Sequence, residues 1–164
     1  MTESPRLLIR RIQPGDLDAM MAVYGDPIAM QYVDDGLPIG EADCRRWIDV
    51  TLQNYGTRGY GMFAVERLDT QDVVGFCGLV HPGGQSVPEL KYAYLQSAWG
   101  LGYATEAAIR LLEYGRTVHG MTRVIATTSP DNAASHRVLV KAGMHDIGVQ
   151  VEGNGERIQV FEWS

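Results

Sequence analysis

The sequence contains few cysteines and no long apolar run. Its two cysteines, Cys44 and Cys77, lack the paired spacing of metal ligands, and a small disulfide scaffold would carry more of them. No apolar run approaches the roughly 20 residues needed to cross a bilayer, so no membrane association is expected. Residues Met1–Arg11 mix charged with apolar side chains and are too short for a signal peptide. We therefore expect a protein of the reducing cytoplasm.

Positive charge is also scarce. Lys and Arg total 14 against 20 Asp and Glu, which gives a net charge of −6. This balance excludes a broad basic footprint for nucleic acid, although a local cationic spot for a phosphate-bearing ligand stays open. The acidity mildly favours cationic partners such as amines. The four histidines are scattered without metal-ligand spacing, so no metal site is predicted.

The remaining composition is that of a globular domain, with 45% hydrophobic and 21% charged residues. Apolar periodicity and turn residues predict one strand, two helices, three strands, a helix, a strand, a helix and a final hairpin. We expect one α+β domain over residues 1–164, with a mixed β-sheet flanked by helices. The predicted bounds are Leu7–Ile12, Leu17–Tyr24, Glu41–Tyr55, Met62–Arg67, Val73–Val80, Glu89–Leu95, Thr105–Val118, Arg123–Thr128, Asn132–Ala142 and Asp146–Trp163.

A glycine-rich turn, Trp99-Gly-Leu-Gly-Tyr-Ala104, joins a predicted strand to a predicted helix. Its glycines permit close approach of backbone N–H groups to a ligand, and the helix adds its free amides and positive dipole end. Such a turn suits a pyrophosphate. No Lys-Ser/Thr follows, as a nucleoside-triphosphate loop requires, and the third glycine of a dinucleotide fold is missing. On spacing alone, an ordinary strand-to-helix turn explains the motif equally well.

Three segments in order resemble the core of the GNAT N-acetyltransferase superfamily, and specifically its branch of ribosomal-protein-alanine-type acetyltransferases. They are Glu89–Leu95, Trp99–Ala107, and Pro130–Ser135 followed by Lys141–Met144. The resemblance extends over nearly the whole chain. It implies a splayed, mostly antiparallel mixed sheet in a single GNAT domain, and acetyl-coenzyme A (acetyl-CoA) as the acetyl donor.

The resemblance also implies which residues bind the donor. Main-chain groups of Tyr94 and Leu95 would hold the pantetheine arm and polarise the thioester carbonyl. Asn132 falls near the pantetheine and Ser135 near the sulfur. Trp99 departs from the Gln or Arg usual at the start of the family motif, but the turn works through backbone amides. The expected pyrophosphate turn comprises Trp99, Gly100, Leu101, Gly102, Tyr103, Ala104 and Thr105.

Two residues are the catalytic candidates, Glu89 and Ser135. Glu89 matches a carboxylate that the superfamily uses as base or water holder; binding of the substrate cation and a solvated strand end are its alternatives. Many family members carry an acidic Tyr seven residues after the Asn, where this chain has Leu139, so Ser135 is left as the group that meets the leaving thiolate. No activated nucleophile is recognisable, which favours direct attack in a ternary complex. Cys77 is expected to be a buried structural thiol.

The expected acceptor is a primary amine, either a small molecule or a peptide N-terminus. Specificity is expected in the loops Val33–Gly40 and His81–Pro88, with Tyr32 and Tyr60 as weaker acceptor-site candidates and Trp47 as a core residue. Two alternatives stay open: a noncatalytic acyl-CoA-binding sensor, and an acyltransferase with another donor such as succinyl-CoA. The chain could be a monomer or a homodimer.

The other polar residues of the last two helices receive structural interpretations. Glu106 is expected to stabilise the start of its helix through the dipole. His136 is expected at the surface beside the cofactor, because a helix sends adjacent residues in different directions. Arg137 and Lys141 are as well explained by a solvated face as by contact with the donor's phosphorylated end.

Overall fold

The computed structural model describes residues 1–33 and 35–164. Within them the strands are β1 (Thr2–Glu3), β2 (Leu7–Arg11), β3 (Met62–Arg67), β4 (Val73–Val80), β5 (Glu89–Tyr94), β6 (Val124–Thr128), β7 (His145–Val151) and β8 (Arg157–Trp163). The α-helices are α1 (Leu17–Tyr24), α2 (Glu41–Arg58), α3 (Tyr103–His119) and α4 (Ala133–Lys141). Each predicted element is present, and the predicted fold class is confirmed. None of these helices combines the length and the apolarity that crossing a membrane requires.

The differences from the predicted elements lie at their ends. Strand β1 was not expected, because two residues paired with Leu8 and Ile9 carry no readable periodicity. Helix α3 begins at Tyr103, two residues earlier than expected, directly after Gly102 at φ +82°. Helix α2 continues to Arg58 and ends where Gly59 adopts φ +82°, a left-handed conformation that favours glycine at a helix end.

The strands form one sheet in the order β1-β2-β3-β4-β5-β6-β8-β7. Strands β5 and β6 run parallel, whereas the other neighbours are antiparallel. In the described chain, the β5–β6 ladder contains one Cα pair, Glu89 with Ile125, and the Ile125 N–H donates to the Pro88 carbonyl at 3.0 Å. Beyond this point β5 and β6 separate, so the sheet is splayed in its middle.

Helices cover both faces of the sheet. Helices α3 and α4 pack on one face, where Leu111 and Leu139 are fully buried with Tyr94. Helices α1 and α2 pack on the other, around Met20 and Phe76. Because side chains alternate along a strand, Tyr92 and Tyr94 face α3 and α4, whereas Glu89 and Lys91 share the opposite face with Ala93.

A buried ion-pair network fixes the start of α1 to the sheet. Both terminal nitrogens of Arg10 donate to Asp16 at 2.9 Å, and its Nε donates to Glu66 at 2.7 Å. The Gln13 N–H adds a third bond to Asp16 at 2.8 Å. Burial acts to raise the pKa of Asp16, but the hydrogen bonds from Arg10 and Gln13 lower it by more. The pKa of Asp16 therefore lies below its ordinary value.

Candidate active site

A cleft of about 1530 Å³ passes through the sheet at the splay. Thr51 and Trp47 of α2 line it on one face, and Ser135 and Leu139 of α4 line it on the other. Thr127 of β6 lies between them along the same lining. Groups on both faces of the sheet therefore reach one space, where two reactants could approach each other from opposite sides.

Leu95 does not offer its main chain to this space. Its N–H donates to the Val74 carbonyl at 2.9 Å, and its carbonyl accepts from the Ala98 N–H at 2.9 Å. Of the two residues predicted to hold the pantetheine arm and polarise the thioester carbonyl, Leu95 therefore has its amide already bonded to β4.

Tyr92 and Tyr94 instead direct their peptide groups toward the splay. Alternate residues of an antiparallel strand turn their backbone groups to opposite neighbours, and Leu95 faces β4. Pro88 is an even number of residues from both tyrosines, and its carbonyl accepts a hydrogen bond from β6. The Tyr94 carbonyl accepts a hydrogen bond from the Trp99 indole N–H at 3.0 Å. By the same alternation, the Tyr94 N–H is directed into the gap.

The glycine-rich turn forms an open helix start. Gly102 is the N-cap residue of α3, and the first helical hydrogen bond runs from Glu106 N–H to the Gly102 carbonyl at 3.1 Å. No side chain of the described residues caps this end, so the first-turn amides remain unpaired within the helix. Gly100, at φ +73°, has nothing within 4 Å of where a Cβ would stand. The turn lies outside the lining of the large cleft, at the other end of β5.

Arg6 and Glu106 form an ion pair beside this turn. Glu106 accepts hydrogen bonds from Ser4 Oγ at 2.7 Å, from the Arg6 N–H at 2.8 Å and from Arg6 Nε at 2.7 Å. Arg6 also donates to the Leu101 carbonyl at 2.9 Å and lies over the Tyr103 ring. Burial acts to raise the pKa of Glu106, but the bonds from Ser4 and Arg6 outweigh it and lower the pKa. The first-turn carboxylate is therefore neutralised by a cation and does not repel an approaching anion.

The side chains of the turn differ in exposure. Tyr103 is buried in the core with α3, so its backbone alone can meet a ligand. Trp99 is 48% exposed although its indole N–H is bonded, and Leu101 is also exposed. Ala104 and Thr105 are partly buried in the first turn.

Glu89 is buried, with 4% of its surface exposed, which excludes the solvated strand end as its explanation. The Thr127 hydroxyl donates to its Oε1 at 2.6 Å, and the Gln85 side-chain amide donates to its Oε2 at 3.4 Å. Thr127 lines the cleft. A carboxylate is thus connected to the cleft by one hydroxyl group on the α1–α2 face.

Ser135 meets a tyrosine that was not predicted as a site residue. Its N–H donates to Asn132 Oδ1 at 3.2 Å, so Asn132 caps α4. The Ser135 hydroxyl lies 2.5 Å from the Tyr92 hydroxyl, and both residues line the cleft. Burial raises the pKa of Tyr92 well above its ordinary value. Leu139 is fully buried one turn further along the helix and contributes no proton donor.

The acceptor-loop candidates divide between cleft and rim. Tyr32, Trp47 and His81 line the cleft, so Trp47 is more than a core residue. Tyr60 donates to or accepts from His81 Nε2 at 2.7 Å and reaches the cleft through that histidine. The predicted loop Val33–Gly40 contains Asp34, which lies outside the described residues.

Two further residues have mainly structural environments. Cys77 is fully buried, and burial raises its pKa to about 12, which confirms the predicted buried thiol. His136 is partly buried rather than free on the surface, with Nε2 at 2.9 Å from Thr128 Oγ1 and its ring against Phe161.

Comparison with known proteins places these features in a family. A family model described as "Acetyltransferase (GNAT) domain" matches residues 6–145. The uncharacterized N-acetyltransferase YnaD of Bacillus subtilis is 31% identical over 143 residues, covering 87% of this chain and 81% of that protein. A GNAT-family acetyltransferase from Bacillus anthracis is 28% identical, with a TM-score of 0.83 over 98% of this chain and 96% of that chain.

A more distant neighbour shares the fold. RimL, a ribosomal L7/L12 α-N-protein acetyltransferase solved with coenzyme A, has a TM-score of 0.81 at 16% identity, over 98% of this chain and 94% of that chain. The family match covers most of the chain, and the splayed sheet and the uncapped start of α3 are consistent with it. The chain belongs to the GNAT family of acetyltransferases.

Proposed function

We propose that this acetyltransferase binds acetyl-CoA and transfers its acetyl group to a primary amine by direct attack in a ternary complex. The observation that carries the proposal is the gap between β5 and β6. The Thr127 hydroxyl, bonded to the buried Glu89 carboxylate, faces it from one side of the sheet, and a serine–tyrosine pair faces it from the other. RimL, which shares the fold, was solved with coenzyme A.

The residues present fit such a donor. The uncapped first turn of α3 offers amides to a diphosphate, and Gly100 leaves room for it. From there β5 leads to the gap, where the backbone N–H groups of Tyr92 and Tyr94 can bond to pantetheine and thioester oxygens. Acetyl-CoA supplies an activated acetyl group as a thioester. The turn binds the diphosphate and orients the donor, while the gap aligns the acetyl carbon with the acceptor amine.

Glu89 takes the proton of the amine in this proposal. Amines are protonated at neutral pH, with ordinary pKa values of about 8 for an α-amino group and about 10.4 for lysine. The Thr127 hydroxyl passes its proton to Glu89 and receives one from the amine. The buried Glu89 can therefore accept the proton without contacting the amine directly. The C–N bond then forms while the C–S bond breaks, and the sulfur leaves with the bonding electron pair. The nitrogen releases its second proton to solvent as the amide forms. Ser135 lies on the sulfur side.

A thiol-release screen tests the activity. Purified protein is incubated with acetyl-CoA and a panel containing N-terminal peptides, amino acids, polyamines and aminoglycoside-like amines. We expect free thiol to appear only when both acetyl-CoA and a matching amine are present. Binding of coenzyme A without thiol release across the panel would instead indicate the acyl-CoA sensor, for which buried Leu139 is the supporting observation.

The base has its own test. Glu89→Gln keeps the size and can still accept from Thr127, but it loses the proton acceptor, so kcat should fall about 100-fold, within the usual range for general bases. Thr127→Val should cost a similar factor, and Thr127→Ser should restore most of it. Equal kcat in Glu89→Gln and wild type would remove Glu89 from the mechanism.

A further inference from the structure

The leaving-group side of the gap contains a residue with no assigned role. Tyr92 lines the cleft from β5, faces α4, and places its hydroxyl 2.5 Å from that of Ser135. The two residues are 43 positions apart in sequence, so the sheet and α4 together create this contact. Resting on the proposed function, we propose that Tyr92 is a positioning residue that orients the Ser135 hydroxyl toward the departing sulfur.

The direction of the hydrogen bond follows from acidity. A phenol is a stronger acid than an alcohol, so the Tyr92 O–H donates and Ser135 Oγ accepts. Burial keeps Tyr92 protonated near neutral pH, which makes it a permanent donor. Ser135 Oγ has no second hydrogen-bond partner among the described residues. Its own hydrogen is therefore left to point into the gap.

This arrangement compensates for Leu139. An isolated serine hydroxyl rotates freely and would lose entropy on meeting a sulfur. The hydrogen bond from Tyr92 holds the Ser135 hydroxyl with its own hydrogen directed at the sulfur. Such preorganisation stabilises developing negative charge. The sulfur leaves with the C–S electron pair and accepts the Ser135 hydrogen bond. It takes a proton from solvent on release. The first amine proton leaves through Glu89, and the second leaves the amide nitrogen for solvent.

Neighbouring groups do not disturb the assignment near neutral pH. Cys77 and Tyr94 lie closest to Tyr92 on the same face, and burial raises the pKa of both. Both stay neutral. Lys91 extends from the opposite face of β5, and His136 is bonded to Thr128. Each of these groups is unchanged in the variants below and cancels in the comparison.

The test compares coenzyme A with desulfo-coenzyme A, which carries hydrogen in place of the thiol, by calorimetric titration between pH 6.5 and 9. A free thiol has an ordinary pKa of about 8.5, so thiolate forms in this range. We expect wild type to prefer coenzyme A about tenfold more at pH 9 than at pH 6.5. Tyr92→Phe should lose this rise while retaining affinity for desulfo-coenzyme A.

Kinetics provide the second readout once an acceptor is found. Tyr92→Phe should lower kcat about tenfold and change the KM for acetyl-CoA less than twofold. Ser135→Ala added to Tyr92→Phe should cost less than a further twofold, because the two hydroxyls act as one unit. Tyr114→Phe, which removes a hydroxyl bonded to His119 on α3, is the matched control and should behave as wild type.

The outcomes separate the inference from the proposed function. No binding of coenzyme A to wild type would overturn both. Binding with the same pH-dependent preference in Tyr92→Phe and wild type would overturn the role of Tyr92 alone. If Tyr92→Phe does not fold, Ser135→Ala in the same titration decides the matter, because a retained rise would show that the hydroxyl pair does not meet the sulfur.

Discussion

A negative charge placed at the start of α3 should weaken coenzyme A binding more than the same bulk without charge. Gly102→Glu and Gly102→Gln share the strain of a non-glycine residue at φ +82° and a Cβ 3.2 Å from an Arg6 nitrogen. This strain costs both variants about 1–2 kcal/mol of folding free energy. The variants differ only in a carboxylate that would stand beside the amides proposed to hold the diphosphate.

The magnitude follows from Coulomb's law. Two unit charges about 6 Å apart repel by about 3 kcal/mol at an effective dielectric constant of about 20. Salt and the Arg6 guanidinium reduce the effect, so we expect about 2 kcal/mol, or roughly thirtyfold in the dissociation constant. Gly102→Gln should bind coenzyme A several-fold more weakly than wild type, and Gly102→Glu about thirtyfold more weakly than Gly102→Gln.

Calorimetric titration of both variants measures the difference, with dephospho-coenzyme A as a second ligand. Because that ligand keeps the diphosphate, the ratio between the variants should persist, and it should shrink as salt rises. Urea unfolding checks that both variants are equally stable. Equal dissociation constants for the two folded variants would refute the placement of the diphosphate at this turn.

Two further substitutions probe the framework of the site. Asp16→Asn breaks a buried pair with Arg10 and should lower the free energy of unfolding by about 3 kcal/mol in urea at pH 7. The native pKa of Asp16 lies below the ordinary 3.8, so the wild type keeps the stabilisation from this ion pair above pH 3.8 and loses it as the pH falls through the native pKa. Below pH 5, stability should therefore fall more steeply with pH in the wild type than in Asp16→Asn. Equal slopes in the two proteins would contradict the role of the ion pair. Trp99→Phe removes the hydrogen bond to the Tyr94 carbonyl and should cost about 1 kcal/mol of stability, with coenzyme A affinity within threefold of wild type. A large loss of affinity would mean that the indole itself binds the ligand.

The sequence predicted the elements well because their signals are local. The apolar run Val73–Val80 and the helical spacing of Leu17–Tyr24 each contain their own periodicity, and both bounds match the structure. Strand β1 escaped prediction because it is defined only by its pairing with Leu8 and Ile9 of β2. The predicted start of α3 was two residues too late, because the left-handed Gly102 ends the turn and the helix begins directly at Tyr103.

The site was predicted only as far as single residues could be matched to motifs. Glu89 and Ser135 follow from their positions in family segments, but their partners do not. Thr127 lies 38 residues from Glu89, and Tyr92 lies 43 from Ser135. Strand alternation assigns Tyr92 a face, yet contact with Ser135 depends on where α4 settles on the sheet, which no local pattern encodes. The bonded amide of Leu95 likewise depends on strand register.

The splay between β5 and β6 links the fold to its chemistry. A sheet normally pairs every backbone N–H and C=O of an inner strand, since an unpaired buried polar group costs about 1–3 kcal/mol. Here β5 meets β6 at one Cα pair, which leaves the peptide group of Tyr92 and the N–H of Tyr94 directed at the gap. A ligand with amides of its own can replace the missing strand there. In the proposed mechanism, the same separation lets the amine, deprotonated by Glu89 through Thr127, reach the thioester from one face while Ser135 meets the sulfur from the other. A closed sheet would prevent this.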